Sequence, residues 1–439
     1  MTPDAPHVAT GVGEGAPARE LRLHGWADRT VVAVASAAFA AGFGQFGLVA
    51  ALGDVARHYG RLVHGASIAD QVGLSGTELG IGLAVVRLAS LGSLPLIGLA
   101  DRLGRRRLLV GTLAAGLALT AASAASPGYW WFVAIFAAGR PLLSATNALA
   151  QVAAGEQTSA RTRASAVALT AGGYGVGAGV VAFVHSLASG ALGFRGMFAL
   201  ALVPLALVPV LGRFVEEPDR FAAAAVERRR AVPVLGAVGA SHRRRVAVLC
   251  VLAFAISVVS GPANSFVYLY AQDVVRQPGY ETAIMVVGAG VSGLAGLLAG
   301  RWLADRVGRR PTAVAGTALL SVLAAVTYSG SRPALVVGYV LGVLAASLLA
   351  PAAGALLTEL FPTEVRASAA GWWVAASVAG AVVGLVAFGA VADVGNRFAG
   401  AAAVTFLPVA AVSLLFYLVP ETRGREPEDL WPSPSVSLP

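Results

Sequence analysis

Twelve apolar runs, each close to the ~20 residues that a helix needs to cross a bilayer, fill most of this 439-residue chain. They lie at 31–53, 78–99, 108–126, 130–152, 165–187, 195–214, 246–270, 282–304, 312–330, 334–357, 368–391 and 399–419. Lipid offers no partner to backbone N–H and C=O groups, so such a run folds as a helix or as part of a closed barrel. None of the runs alternates with period two, which leaves helices. The sequence therefore predicts an all-α membrane protein with twelve transmembrane helices. Composition agrees, with 57 % apolar and 13 % charged residues, far from a soluble domain.

One stretch between runs occurs twice. Residues 100–106 read Ala-Asp-Arg-Leu-Gly-Arg-Arg and residues 304–310 read Ala-Asp-Arg-Val-Gly-Arg-Arg. Two further pairs keep the phase. Glu156 stands seven residues before Arg163, and Glu359 seven before Arg366. Glu216-Glu217-Pro218 follows the sixth run, and Pro420-Glu421 follows the twelfth. Matching spacing at three levels makes the chain two copies of one unit. The twelve helices thus divide into two pseudo-symmetric six-helix bundles, 30–214 and 246–419. A linker, 215–245, joins them, and tails at 1–29 and 420–439 flank them.

These loops carry a resemblance. The Asp-Arg-x-Gly-Arg-Arg stretch in both halves is similar to the signature of the major facilitator superfamily (MFS) of secondary transporters, over residues 30–425. Pro-Thr-Glu-Val-Arg at 362–366 and Pro-Glu-Thr-Arg-Gly at 420–424 resemble its sugar-porter and metabolite-symporter branch. The resemblance implies two bundles around a central cavity that opens to each side in turn. It also implies a cytoplasmic gate of Asp101, Arg102, Arg105, Glu156 and Arg163 with Asp305, Arg306, Arg309, Glu359 and Arg366. The physical basis is plain: a helix N-terminus carries partial positive charge and attracts a carboxylate. Asp101 is expected at the start of the eleventh helix and Asp305 at the start of the fifth.

Net charge is +9, and all 32 basic residues are arginine. A basic chain can signal nucleic acid, but these arginines sit between apolar runs, so nucleic acid is not an expected partner. Only Arg57, Arg61, Arg195, Arg276, Arg332 and Arg397 fall in one set of loops, and Arg87 and Arg140 fall inside runs. The rest crowd the other set and the tails. The positive-inside rule then puts both termini in the cytoplasm of a cell-membrane protein. Arg228–Arg230 and Arg243–Arg245 in the linker suit an anionic lipid surface, though ordinary positive-inside charge explains them as well.

Enzyme motifs are missing, and no cofactor is expected. Asp54, His58 and His64 form only a weak metal spacing, and the single cysteine, Cys250, excludes an internal disulfide. Charges deep in a membrane are costly and mark cavities. Arg87 lies ~13 Å along its helix from Glu78, and Arg140 ~15 Å from Trp130, at ~1.5 Å per residue. Both are near the midplane, and no carboxylate is as deep. Gln45 is level with them. Pro262 should kink the seventh helix and expose carbonyls to the cavity, and Asn264 and Tyr268, four apart, share a face. The expected substrate site is Arg87, Arg140, Gln45, Asn264 and Tyr268, with an anion compensating the two arginines. Proton coupling is left open: Asp54 is the first candidate, its pKa expected to rise in an apolar mouth, and His185 the second. The favoured function is secondary transport of a small organic solute by a monomer in the lipid bilayer. Drug efflux with proton antiport and a transporter-like sensor remain as alternatives. The Gly-Pro pair of the drug-antiporter branch is replaced here by Gly177-Ala178-Gly179.

Overall fold

The computed structural model describes residues 25, 27–61, 71–158, 162–217, 239–395 and 397–425. The linker segment 218–238, with Arg228–Arg230, and His64 lie outside that set. Helices occupy the predicted runs: α1 (Arg29–Ala50), α2 (Gly76–Ala100), α3 (Arg105–Ala125), α4 (Tyr129–Gln157), α5 (Ser165–Ala199), α6 (Leu202–Phe214), α7 (His242–Ser265), α8 (Gly279–Arg306), α9 (Arg309–Thr327), α10 (Arg332–Glu359), α11 (Val365–Gly395) and α12 (Phe398–Leu418). All but α6 are long and apolar enough to cross a membrane.

The sixth span differs from expectation. Helix continues from α5 through a kink at Gly193 (φ 59°) to Ala199, and α6 proper has 13 residues. Pro204 explains the break: it has no N–H to give the Leu200 carbonyl four residues back, so the ladder is interrupted at the turn.

Pairing repeats between the halves. α1 packs along α5, and α7 packs along α11. Gly177 of α5 lies against the Phe39 carbonyl and Gly384 of α11 against the Val258 carbonyl, and a β-carbon at either would collide. Within the small-residue run at 172–179, Gly173 and Gly177 are thus close-packing surface, as in other membrane helices, whereas a β-carbon at Gly172, Gly175 or Gly179 would meet nothing.

The two ends of the molecule are built differently. At the end bearing the repeated arginine loops each half has its own apolar core. One gathers Val34, Leu109, Leu113 and Leu149; the other gathers Leu249, Leu356, Phe361 and Phe416. At the opposite end one core runs through both halves, from Leu52, Phe132 and Phe198 to Phe266, Phe388 and Phe406. Polar ties between the halves are at this end too. Asp393 of α11 accepts from the Gly76 and Thr77 backbone N–H groups at 2.7 and 2.8 Å, and from the Thr77 hydroxyl. Its charge sits on the positive end of α2. Arg57, on the short helix Leu52–Tyr59 after α1, pairs with Asp273, which follows α7.

Candidate functional site: an arginine-lined cavity between the halves

A cavity of about 340 Å³ lies between the halves, within the size range of small-ligand sites. Gln45, Arg87, Arg140 and Phe136 line it from the first half, and Ser260, Asn264 and Leu385 from the second. Four of the five expected substrate residues are therefore brought together. The Arg140 guanidinium donates to the Gln45 carbonyl of α1 at 3.3 Å. The Gln45 amide oxygen accepts from the Tyr174 hydroxyl at 3.2 Å and the Ser144 hydroxyl at 3.4 Å. Three donors remain buried without a hydrogen-bond partner: Nε of Arg87, Nε of Arg140 and Nε2 of Gln45. Among the described residues no carboxylate pairs with either arginine. The carboxylates of the lining spans stand at their ends: Glu78 on α2, Glu156 on α4 and Asp393 on α11.

Tyr268 is not part of this wall. It is buried, with its hydroxyl 3.3 Å from that of Tyr339 on α10. The reason is local. Helical geometry fails just after Ser265, and a short π-helical turn follows at Tyr270–Val274, so the four-residue face shared with Asn264 is lost. Pro262 sits inside α7, whose helix runs on to Ser265. The Pro262 and Ala263 carbonyls accept from the buried Tyr328 hydroxyl at 3.3 and 2.9 Å.

The arginine loops are built alike in the two halves. Gly104 (φ 93°) and Gly308 (φ 131°) adopt left-handed backbone that favours glycine. In the first half, the Arg105 and Arg106 N–H groups donate to Glu217 at 2.6 and 3.0 Å. In the second, those of Arg309 and Arg310 donate to Glu421 at 2.8 and 3.0 Å. A carboxylate thus closes the N-terminus of α3 and of α9. Arg105 pairs with Glu156, and Arg309 with Glu359 at 3.4 Å and Asp305 at 2.8 Å. These links stay inside each half. Asp305 is 60 % exposed and holds Arg309, four residues on along the chain, rather than the start of α5. Arg306 stacks on Trp302, 4.7 Å from the ring centre. Arg163 is exposed, and Arg366 donates to the Phe361 carbonyl at 3.4 Å. The side chains of Asp101 and Arg102 lie outside the described set.

Asp54 and His185 do meet, at the opposite end. His185 Nε2 is 2.7 Å from Asp54 Oδ2, and both side chains are buried. Arg57 also pairs with Asp54 and, across the halves, with Asp273. Burial pushes the Asp54 carboxyl up, but the hydrogen bond and charge of His185 and those of Arg57 outweigh it. The carboxyl ends below its ordinary 3.8. The expected rise is overturned because the mouth is not apolar at this atom. His58 stacks on Phe194 at 4.6 Å, and the described residues hold no group of three His, Cys, Asp or Glu placed for a metal.

Glu217 and Glu421 marked the repeat in the sequence but were assigned no contact, and Asp273 and Asp393 were assigned no role. For the first two a signal existed: each lies 112 residues after the arginine whose N–H it accepts. Asp393 and Thr77 are 316 residues apart, and no local pattern links them.

Known proteins match over this whole frame. The family model for the Major Facilitator Superfamily matches residues 34–303 and 277–438. A Haemophilus influenzae protein named for metabolite transport is 26 % identical over 351 residues, 74 % of this chain and 83 % of that one. A Cupriavidus pinatubonensis protein named for 4-methylmuconolactone transport is 28 % identical over 292 residues, 63 % of this chain and 65 % of that one. Among solved structures, a mutant of the nucleoside transporter NupG superposes with a TM-score of 0.71, over 89 % of this chain and 98 % of its own, at 13 % identity. The xylose transporter XylE from E. coli, in an inward open conformation, gives 0.69 over 92 % and 99 % at 16 % identity. Those two likenesses speak to fold. The family match goes further: this multi-pass membrane protein is a transporter of small solutes, not an enzyme, and it belongs to the Major Facilitator Superfamily.

Proposed function

We propose that the chain is a monomeric secondary transporter that carries a small organic anion across the cell membrane by alternating access. The observation that carries this is the pair Arg87 and Arg140, facing one cavity with buried, unpartnered Nε donors and no carboxylate. An arginine at the centre of a membrane helix costs roughly 2.5–3.5 kcal/mol or more, and guanidinium stays protonated. A bound carboxylate or phosphate offsets that cost directly through bidentate contacts. Gln45 and Asn264 supply neutral contacts. The relative named for 4-methylmuconolactone is in keeping with a small organic acid or its derivative.

In this reading the halves are 30–214 and 246–419, the arginine loops and both termini are cytoplasmic, and the shared core closes the external end. Separate cores at the cytoplasmic end support an inward-facing arrangement, and so does Asp305, which lies free of α5. The proposed coupling ion is the proton, exchanged at the Asp54–His185 pair. The pair sits beside Arg57, the arginine that ties the halves together.

Ligand-dependent melting of the purified protein tests the anion. Small organic anions should raise the melting temperature. Arg140→Lys keeps the charge and loses the planar fork, which should weaken the response ten- to a hundredfold, or ~1.5–3 kcal/mol. Selective stabilisation by cations, unchanged in Arg140→Lys and Arg87→Ala, would overturn the reading.

A further inference from the structure

A second cavity, of about 240 Å³, adjoins the first inside the second half. Leu320 and Ala324 of α9 and Tyr339, Val343 and Ala346 of α10 form much of its wall, and Asn264 belongs to both walls. The two cavities make opposite demands on an occupant. The first holds two cations and three unpartnered donors. The second has no charged side chain in its lining. Three of its four polar side chains already have partners: Asn264 donates to the Ser260 carbonyl at 2.9 Å, Thr327 to the Leu323 carbonyl at 2.8 Å, and Tyr339 shares a hydrogen bond with Tyr268; the Ser347 hydroxyl is the fourth. An uncharged and mostly apolar wall of this kind favours an apolar occupant.

We infer that the two cavities form one composite site whose solute is an amphipathic organic anion, with its acidic head at Arg87 and Arg140 and a compact uncharged ring-sized body against Tyr339, Leu320 and Ala346. The inference rests on the anion reading above and adds the chemistry of the other end of the solute. Size agrees: an apolar cavity of roughly 150 Å³ takes up benzene, so the second cavity has room for a substituted ring. The aromatic face of Tyr339 favours a flat body, since ring pairs gain beyond simple burial. Asn264, at the junction, is placed to contact the bond that joins head to body.

Three probes on the purified full-length protein separate the parts: acetate (head), phenylacetate (head and ring) and benzyl alcohol (ring). Melting curves should give phenylacetate a midpoint concentration at least tenfold below that of acetate, with little response to benzyl alcohol. A side chain at Gly342 has room to start, since its β-carbon meets only Leu323 at 3.8 Å, and Gly342 lines the second cavity. Gly342→Leu should erase at least most of the phenylacetate advantage and change the acetate midpoint less than twofold. Ala346→Leu does the same by a different residue should the first variant fold poorly. Arg140→Ala should weaken both acids at least tenfold. If phenylacetate is no better than acetate, or keeps its advantage in both filled variants, the composite site is wrong while the anion reading stands. If Arg140→Ala leaves both acids unaffected, the anion reading itself fails.

Discussion

Arg87 and Arg140 were legible as single residues because the physics that singles them out is a cost: few charges survive at the middle of a membrane helix without a purpose. Gln45 and Asn264 followed from level and face. Tyr268 did not, because face assignment assumes an unbroken helix, and the backbone changes after Ser265. Arg306 was read as a gate residue from its place in a motif, yet Trp302 beside it takes its guanidinium. Two predictions belong at this scale. Asp54→Asn and His185→Gln should each lose pH-driven accumulation of substrate in proteoliposomes and keep counterflow exchange. Accumulation that survives both changes would put the coupling group elsewhere. The second concerns Glu421. Burial pushes its carboxyl up, but backbone N–H groups of Arg309, Arg310, Thr422 and Arg423 outweigh that and hold it below its ordinary 4.5. A carboxyl lowered in the fold stabilises above its ordinary value, and that contribution is lost as pH falls through the lower folded one. Between about pH 5 and 3 the melting temperature should therefore drop more steeply for the native chain than for Glu421→Gln. Parallel curves would mean that the carboxylate contributes nothing at the start of α9.

Helix positions were legible from the apolar runs, and the duplication foretold that α3 and α9 begin alike. What closes those helix ends left only one trace in the sequence, the same 112-residue spacing in both halves, because the partners come from distant sequence. Pro204 was visible, but its effect, a sixth span made in two pieces, depends on how the chain turns after Gly193. The start of α2 shows the same limit. Ser75 and Glu78 form a local capping box, which sequence can suggest. Asp393 then adds three hydrogen bonds from the other half, which it cannot. Asp393→Ala removes them at a cost of about 1–3 kcal/mol to the arrangement closed at this end. Spin labels at Trp131 and Val394, both exposed and on opposite halves, report that closure by their separation. The variant should shift the distance distribution toward longer values by roughly tenfold in population ratio. An unchanged distribution would show that the apolar core holds this end without Asp393.

Two halves, twelve helices and a central cavity follow from the repeat and the family. The end at which the halves are joined does not, since under the proposed alternating access one sequence must serve both arrangements. Topology has its own check: reporter fusions after Asp219 and Glu421 should both read cytoplasmic, and an external reading at either would overturn the orientation. Transport is the direct test of the proposed function. Proteoliposomes should be loaded and assayed for electrical or tracer flux with a panel of small organic anions, neutral solutes and cations. Flux should be confined to anions and fall at least tenfold in Arg140→Lys and in Arg87→Ala. Selective flux of a cationic or neutral solute, undiminished in both variants, would contradict an anion carrier built around Arg87 and Arg140.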